Sequence, residues 1–201
     1  MTYIQAVFDV NTLDQAKNVV LTDDPTDLEK FDNETKFLVN AVAQKDIINS
    51  KSIVLDFGCG MGRVSKSLID KFDCNVIGVD ISLSMMRLAD TYVGKPDRFQ
   101  TMRNYNVPNS IDVCISSFVL QHVENPRADI ERICNNLKSG GYLVLVNEHT
   151  RFVPAEIDHN KYVIWKDDGF DVFGEIGSRL SRISSVQYMD SPIDIVFYKK
   201  L

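Results

Sequence analysis

The chain has 201 residues, 44% of them apolar and 25% charged, with a net charge of −6. That length suits one domain with a substantial buried core, and the balance is that of a globular chain, not a disordered or fibrous one. It excludes three classes of reading. No apolar run reaches membrane-spanning length, no basic-then-apolar leader opens the chain, and no basic stripe offers a grip on nucleic-acid phosphates.

Charge is unevenly spread. Residues 1–50 hold nine acids and four lysines, a net −5, whereas the other 151 residues carry −1. Cys59, Cys74, Cys114 and Cys134 are well separated, with no C-x-x-C pair. They read as free, mostly buried thiols in a reducing cytoplasm.

In chain order, a helix is expected around Asp32–Asp46, with Phe37, Leu38, Ala41 and Val42 facing inward. Ser52–Phe57 reads as an apolar strand, followed by a helical stripe of Val64, Leu68, Ile69 and Phe72. Asn75–Asp80 is a second strand, leading into a helix capped by Ser82. A weaker strand, Arg98–Arg103, precedes a loop over 104–110. Ile111–Ser117 then forms a nearly continuous apolar run, as a central parallel strand requires. Asn125 and Pro126 open the next helix, whose stripe is Ile130, Ile133, Cys134 and Leu137, and Gly140-Gly141 is expected to stop it. Tyr142–Val146 is another buried strand. The tail holds Ile183–Met189 and Ile193–Lys199, joined by a turn at Asp190-Ser191-Pro192 that implies an antiparallel pair. This alternation describes a doubly wound α/β sheet of seven mostly parallel strands with an antiparallel C-terminal hairpin.

The most informative stretch joins the first strand to its helix. A carboxylate, Asp56, is followed by glycines at 58, 60 and 62. Glycine tolerates positive φ and lets a ligand approach the backbone, while the free N–H groups of the next helix favour a negatively charged group. The dinucleotide fingerprint G-x-G-x-x-G needs a glycine at 63, where Arg63 stands, and gives Asp56 no role. Asp80 ends the second strand, 24 residues after Asp56, where an acid can accept hydrogen bonds from both ribose hydroxyls.

The D-x-G-x-G-x-G spacing resembles motif I of the class I S-adenosylmethionine-dependent methyltransferases, and the likeness covers about residues 50–201. It implies a cap segment over 1–50, covering the cofactor and helping to form the substrate pocket, and an S-adenosylmethionine-binding domain over 51–201. By the same resemblance, Asp56 and the turn of Gly58, Gly60 and Gly62 surround the methionine portion. Ile81 and Met85 are placed to line the adenine. The family's adenine-binding acid after the third strand is missing here, and Asn104 is the substitute acceptor. Ser116–Val123 resembles the family's segment after strand four, with backbone near Ser117 and Phe118 approaching the methionine end.

Two histidines, His122 and His149, are candidate general bases, their ordinary pKa lying near neutrality. His122 has an alternative role as a loop anchor. Glu148 and His149 lack the spaced partners a metal needs, so no metal is expected. Tyr162, Trp165, Phe170 and Phe173, beside His159, form either a lid over an apolar substrate or a satellite core. Ser116–Val119 stands where methyltransferases of DNA amines and glutamine carry Asn-Pro-Pro-Tyr or Asp-Pro-Pro-Tyr. The expectation is therefore methylation of a small metabolite on O, N or C, with no nucleic-acid or membrane partner. A non-catalytic cofactor-binding subunit and a nicotinamide-dependent oxidoreductase stand as alternatives.

Overall fold

All seven expected strands are present in the computed structural model of the protein, which describes residues 2–20 and 28–201. Of the expected cap segment, residues 1 and 21–27 lie outside the described residues. The elements run α1 (Leu13–Val20), α2 (Leu28–Ala43), β1 (Ile53–Phe57), α3 (Arg63–Phe72), β2 (Asn75–Val79), α4 (Leu83–Val93), β3 (Phe99–Met102), β4 (Ile111–Ser117) and α5 (Pro126–Asn136). They continue with β5 (Leu137–Val146), β6 (Val153–Ile157), β7 (Val163–Lys166), α6 (Val172–Gly177), β8 (Ser181–Gln187) and β9 (Asp194–Lys199).

The main sheet has the order β3-β2-β1-β4-β5-β9-β8. Pairs from β3 to β5 are parallel, and β9 runs antiparallel to both β5 and β8. Successive side chains of a strand face opposite sides, so each central strand feeds two cores. Val54, Val113, Ile115 and Val144 face a core closed by α2, α3 and α4, through Leu38, Val42, Leu68 and Val93. Leu55, Cys114, Leu143 and Leu145 face the other, closed by Ile130 and Ile133 of α5 and by Val172 and Ile176 of α6. Each fully buried side chain of this size contributes roughly 1.5–3 kcal/mol of hydrophobic stabilisation. All four cysteines are buried free thiols.

The helix expected to run to Gly140-Gly141 ends four residues sooner, at Asn136. Leu137 takes extended backbone and pairs with Ile111, and the glycines lie inside β5 at a register shift. Leu137 is buried in either conformation, which is why its i+7 spacing imitated a helical stripe. The β6–β7 hairpin, α1 and α6 had no expected counterpart. In the N-terminal segment, Leu38, Ala41 and Val42 of α2 are buried as expected and Phe37 partly so. Among the described residues, no helix is long and apolar enough to cross a membrane.

Candidate active site

The parallel strands β1, β2 and β4 end together, and the loops leaving their carboxyl ends lie where open α/β sheets bind ligands, which makes them the candidate site. The backbone N–H groups of Gly58 and Cys59 both donate to the Val79 carbonyl, at 2.7 and 3.0 Å, pinning the glycine turn to the end of β2. Gly58 has φ +77°, and a Cβ there would stand 2.3 Å from a Val119 methyl. Gly60 has φ +52°, and nothing lies within 4 Å of where its Cβ would be. One glycine is thus required by the protein's own packing, and the other borders open space. The N-cap of α3 is Gly62, so no side chain caps that helix's free N–H groups.

Two carboxylates frame the turn. Asp80 accepts from Gly60 N at 2.8 Å and from Ser82 N at 2.9 Å, and burial raises its pKa. Asp56 is 3% exposed and accepts the Ser65 hydroxyl at 2.6 Å. Burial pushes its pKa up to about 6, against the opposing pull of Ser65 and of the Arg63 guanidinium. Arg63, the residue that breaks the dinucleotide fingerprint, is buried. It donates to Thr35 Oγ1 at 2.7 Å and lies over the Phe31 ring at 5.2 Å, tying α2 to the turn. Met85 is buried with Met61, Val10, Ala16 and Phe31 beneath the N-terminal segment, whereas Ile81 is partly exposed on the rim.

Residues 3–10 cross this rim as a strap. Gln5 Nε2 donates to Ile81 O at 3.1 Å, the Ser82 hydroxyl donates to Asp9 Oδ1 at 2.9 Å, and Val10 N donates to Ser84 Oγ at 3.0 Å. Ile4 N reaches Pro154 O in β6 at 2.9 Å. Burial, then Glu124, pushes the Tyr3 phenol up to about 12. Phe8 meets the rings of His122 and Trp165 at centroid distances of 6.1 and 6.3 Å.

The loop after β4 supplies the remaining wall. The Ser116 and Ser117 hydroxyls are buried without a partner. Phe118 has φ +57°, donates its N–H to Val146 O at 2.7 Å, and sets its ring edge-on to Tyr188. His122 Nδ1 lies 2.7 Å from Phe152 O, so this nitrogen carries the proton and donates. Its Nε2 then accepts from Gln121 Nε2 at 3.3 Å. Burial lowers the His122 pKa, leaving the ring neutral at pH 7.

The structure does not join the two histidines. His149 is exposed and stacked on Phe173, with centroids 4.6 Å apart, and shares no ring contact with His122. Asn104 Oδ1 accepts from Arg132 at 2.5 Å. The expected aromatic group divides: Trp165 borders His122, Phe170 lies under Arg127, and Tyr162 is exposed. Among the described residues, no group of three or more His, Cys, Asp or Glu is placed to hold a metal. Sequence reasoning missed Phe8, Gln121 and Arg151. Phe8 lies in a segment without periodicity, and the other two act through partners about 30 residues away.

The donor set fits the implied cofactor. Asp80 retains lone pairs for ribose hydroxyls, the space beside Gly60 admits a close backbone approach, and the orphaned Ser117 hydroxyl offers a polar partner.

A family model described as a methyltransferase domain matches residues 55–145. N-demethylindolmycin N-methyltransferase of Streptomyces griseus is 36% identical over 121 residues, which cover 54% of this chain and 49% of that protein. Putative methyltransferase 235L of Invertebrate iridescent virus 6 is 32% identical over 111 residues, covering 53% and 41%. The chain therefore spans about half the length of these curated relatives or less. In fold it matches the PH0226 protein of Pyrococcus horikoshii OT3 with a TM-score of 0.69, 16% identity and coverage of 93% and 99%. Sheet order, glycine turn and paired carboxylates agree with these likenesses: the chain has the class I methyltransferase fold and is similar, over residues 55–145, to methyltransferase domains.

Proposed function

We propose that the protein transfers the methyl group of S-adenosylmethionine to an oxygen, nitrogen or carbon of a small molecule. The observation that carries this reading is the turn in which Asp80 fixes Gly60 while the space beside Gly60 stays open. The lack of a basic stripe supports a small substrate over a nucleic acid. So does the likeness to an N-methyltransferase whose name specifies demethylindolmycin. The four unpaired thiols support a reducing, cytoplasmic setting.

When bound, the cofactor supplies an electrophilic methyl on a sulfonium, with its own leaving group. The protein's task is to align the nucleophile and exclude water, and in favourable intramolecular models such positioning contributes roughly 7–11 kcal/mol. Asp56 and the turn of Gly58, Gly60 and Gly62, with backbone near Ser117 and Phe118, would hold the amino-acid end. Asp80 would take the ribose, and Ile81, Met85 and Asn104 would line the base. A nucleophile arriving protonated must lose its proton as the new bond to carbon forms. His122 Nε2, unprotonated at pH 7, is the acceptor on the substrate side, and the Gln121 amide must yield it. His149 is held as the second base candidate on the exposed rim.

The test is calorimetric titration with S-adenosylhomocysteine, beside NAD and beside Asp80→Ala, followed by assay of cofactor turnover with a metabolite mixture. Saturable binding of the homocysteine compound, weakened in the variant, is expected. Binding of NAD instead, or of neither, defeats the reading. Binding without turnover of any metabolite would favour a non-catalytic cofactor-binding subunit.

A further inference from the structure

Among the described residues Arg151 is the largest fully buried side chain, 1% exposed, and it belongs to no motif of the sequence. Its guanidinium meets Asp168 in a two-point fork, Nε to Oδ1 at 3.0 Å and Nη2 to Oδ2 at 2.9 Å. The remaining donors turn to backbone: Nη1 donates to Leu120 O, and Nη2 to Val123 O at 2.7 Å. These two carbonyls bracket Gln121 and His122. The next residue completes the clasp, since Phe152 N donates to Gln121 O at 2.9 Å and Phe152 O accepts from His122 Nδ1. Four consecutive residues, 120–123, are thus each bonded to residues 151–152.

A buried charge that only stabilised the fold would be a poor choice, because a desolvated ion pair gains little over well-packed apolar groups. Geometry is what this one supplies. The fork fixes the guanidinium plane, the plane fixes two carbonyls, and the carbonyls fix the direction of the imidazole. Lysine, a point charge on a flexible stem, cannot meet the same set of acceptors.

We propose that Arg151, with Asp168 as its counter-ion, is the positioning residue of this site, holding the loop over 120–123 so that His122 keeps Nδ1–H toward Phe152 and presents Nε2. The inference rests on the role proposed for His122.

The chain has three histidines, so nitrogen NMR of the ring resonances resolves them, and His122 is assigned by its loss in His122→Gln. The full chain is expected to show His122 as the Nδ1–H tautomer. Arg151→Gln and Arg151→Lys should shift it to a majority of Nε2–H, the form favoured by a free neutral histidine side chain. Meanwhile the dissociation constant for S-adenosylhomocysteine should rise by less than about tenfold. A His122 tautomer unchanged in Arg151→Gln overturns the proposal, and retention in Arg151→Lys overturns the claim that the fork is required. If Arg151→Gln fails to fold, Asp168→Asn, at a partly exposed side chain, carries the same test. Failure of the unaltered protein to bind S-adenosylhomocysteine would defeat the methyltransferase activity instead, and the tautomer would still decide the role of Arg151.

Discussion

The Asp80 carboxylate and the Gly60 amide, on different loops and 20 residues apart, meet at 2.8 Å and make one unit of the acid and the glycine turn. Hydrogen bonds to a charged acceptor contribute about 1.5–3 kcal/mol each. Asp80→Ala removes the proposed ribose acceptor and the anchor of the turn together. The dissociation constant for S-adenosylhomocysteine should rise roughly 10- to 150-fold, the equivalent of one such bond. Calorimetry reads this directly, and an unchanged constant would remove Asp80 from the cofactor site.

Gly58 and Gly60 should respond differently to the same substitution. Gly58→Ala drives a methyl into Val119 at a positive φ, so the folded state should lose roughly 2–4 kcal/mol by strain and overpacking. Gly60→Ala meets no protein atom, and its stability cost should stay near the ~1–2 kcal/mol of the backbone conformation. Its new methyl enters the space proposed for the cofactor, so cofactor binding should fall further than stability does. Urea melts paired with calorimetric titrations distinguish the two, and equal losses in both measurements would contradict the assignment.

Asp56 makes stability fall with rising pH. Its folded pKa, about 6, lies above the unfolded carboxylate value near 4, so between them the folded state binds more protons. The stability it contributes is fully present below pH 4 and is lost as pH rises through about 6, on the order of 2–3 kcal/mol in all. Asp56→Asn should remove that slope from the cofactor-free protein. Denaturant midpoints at intervals from pH 4 to 7.5 supply the check, and an identical slope in the variant would refute it.

His122→Gln should separate binding from chemistry. Removing a general base typically lowers turnover by roughly 10²–10⁴-fold. The S-adenosylhomocysteine constant should change little, because no hydrogen bond links the imidazole to the glycine turn or to Asp80. Initial rates with a substrate found in the metabolite screen decide it, and full turnover in the variant would leave His122 as a loop anchor only.

The centre of the sheet was legible in the sequence because its strands are buried on both faces, as the nearly continuous apolar runs Ile53–Phe57 and Ile111–Ser117 show. The glycine turn and Asp80 were legible because backbone chemistry at a strand end needs particular residue types at fixed spacing. Where one residue satisfied two patterns, the reading failed: Leu137 is buried as helix or as strand, and only its pairing with Ile111 decides. The Phe8–His122–Trp165 contacts join three segments that share no local signal. Arg151 was invisible for a further reason, since beside Asp168 its acceptors are the backbone carbonyls of Leu120 and Val123, a group that every residue type carries alike.

The four buried thiols amount to a set of clocks. A thiol reacts as its thiolate, and burial raises the pKa of each of these, so labelling must wait for the chain to open. Cys59 stands in the glycine turn, whereas Cys114 lies at the centre of β4, facing the core closed by α5 and α6. The first times a local opening and the second the unfolding of the whole domain. A ligand seated in the turn would therefore slow the labelling of Cys59 ahead of that of Cys114, giving a record of occupancy that needs no knowledge of the substrate.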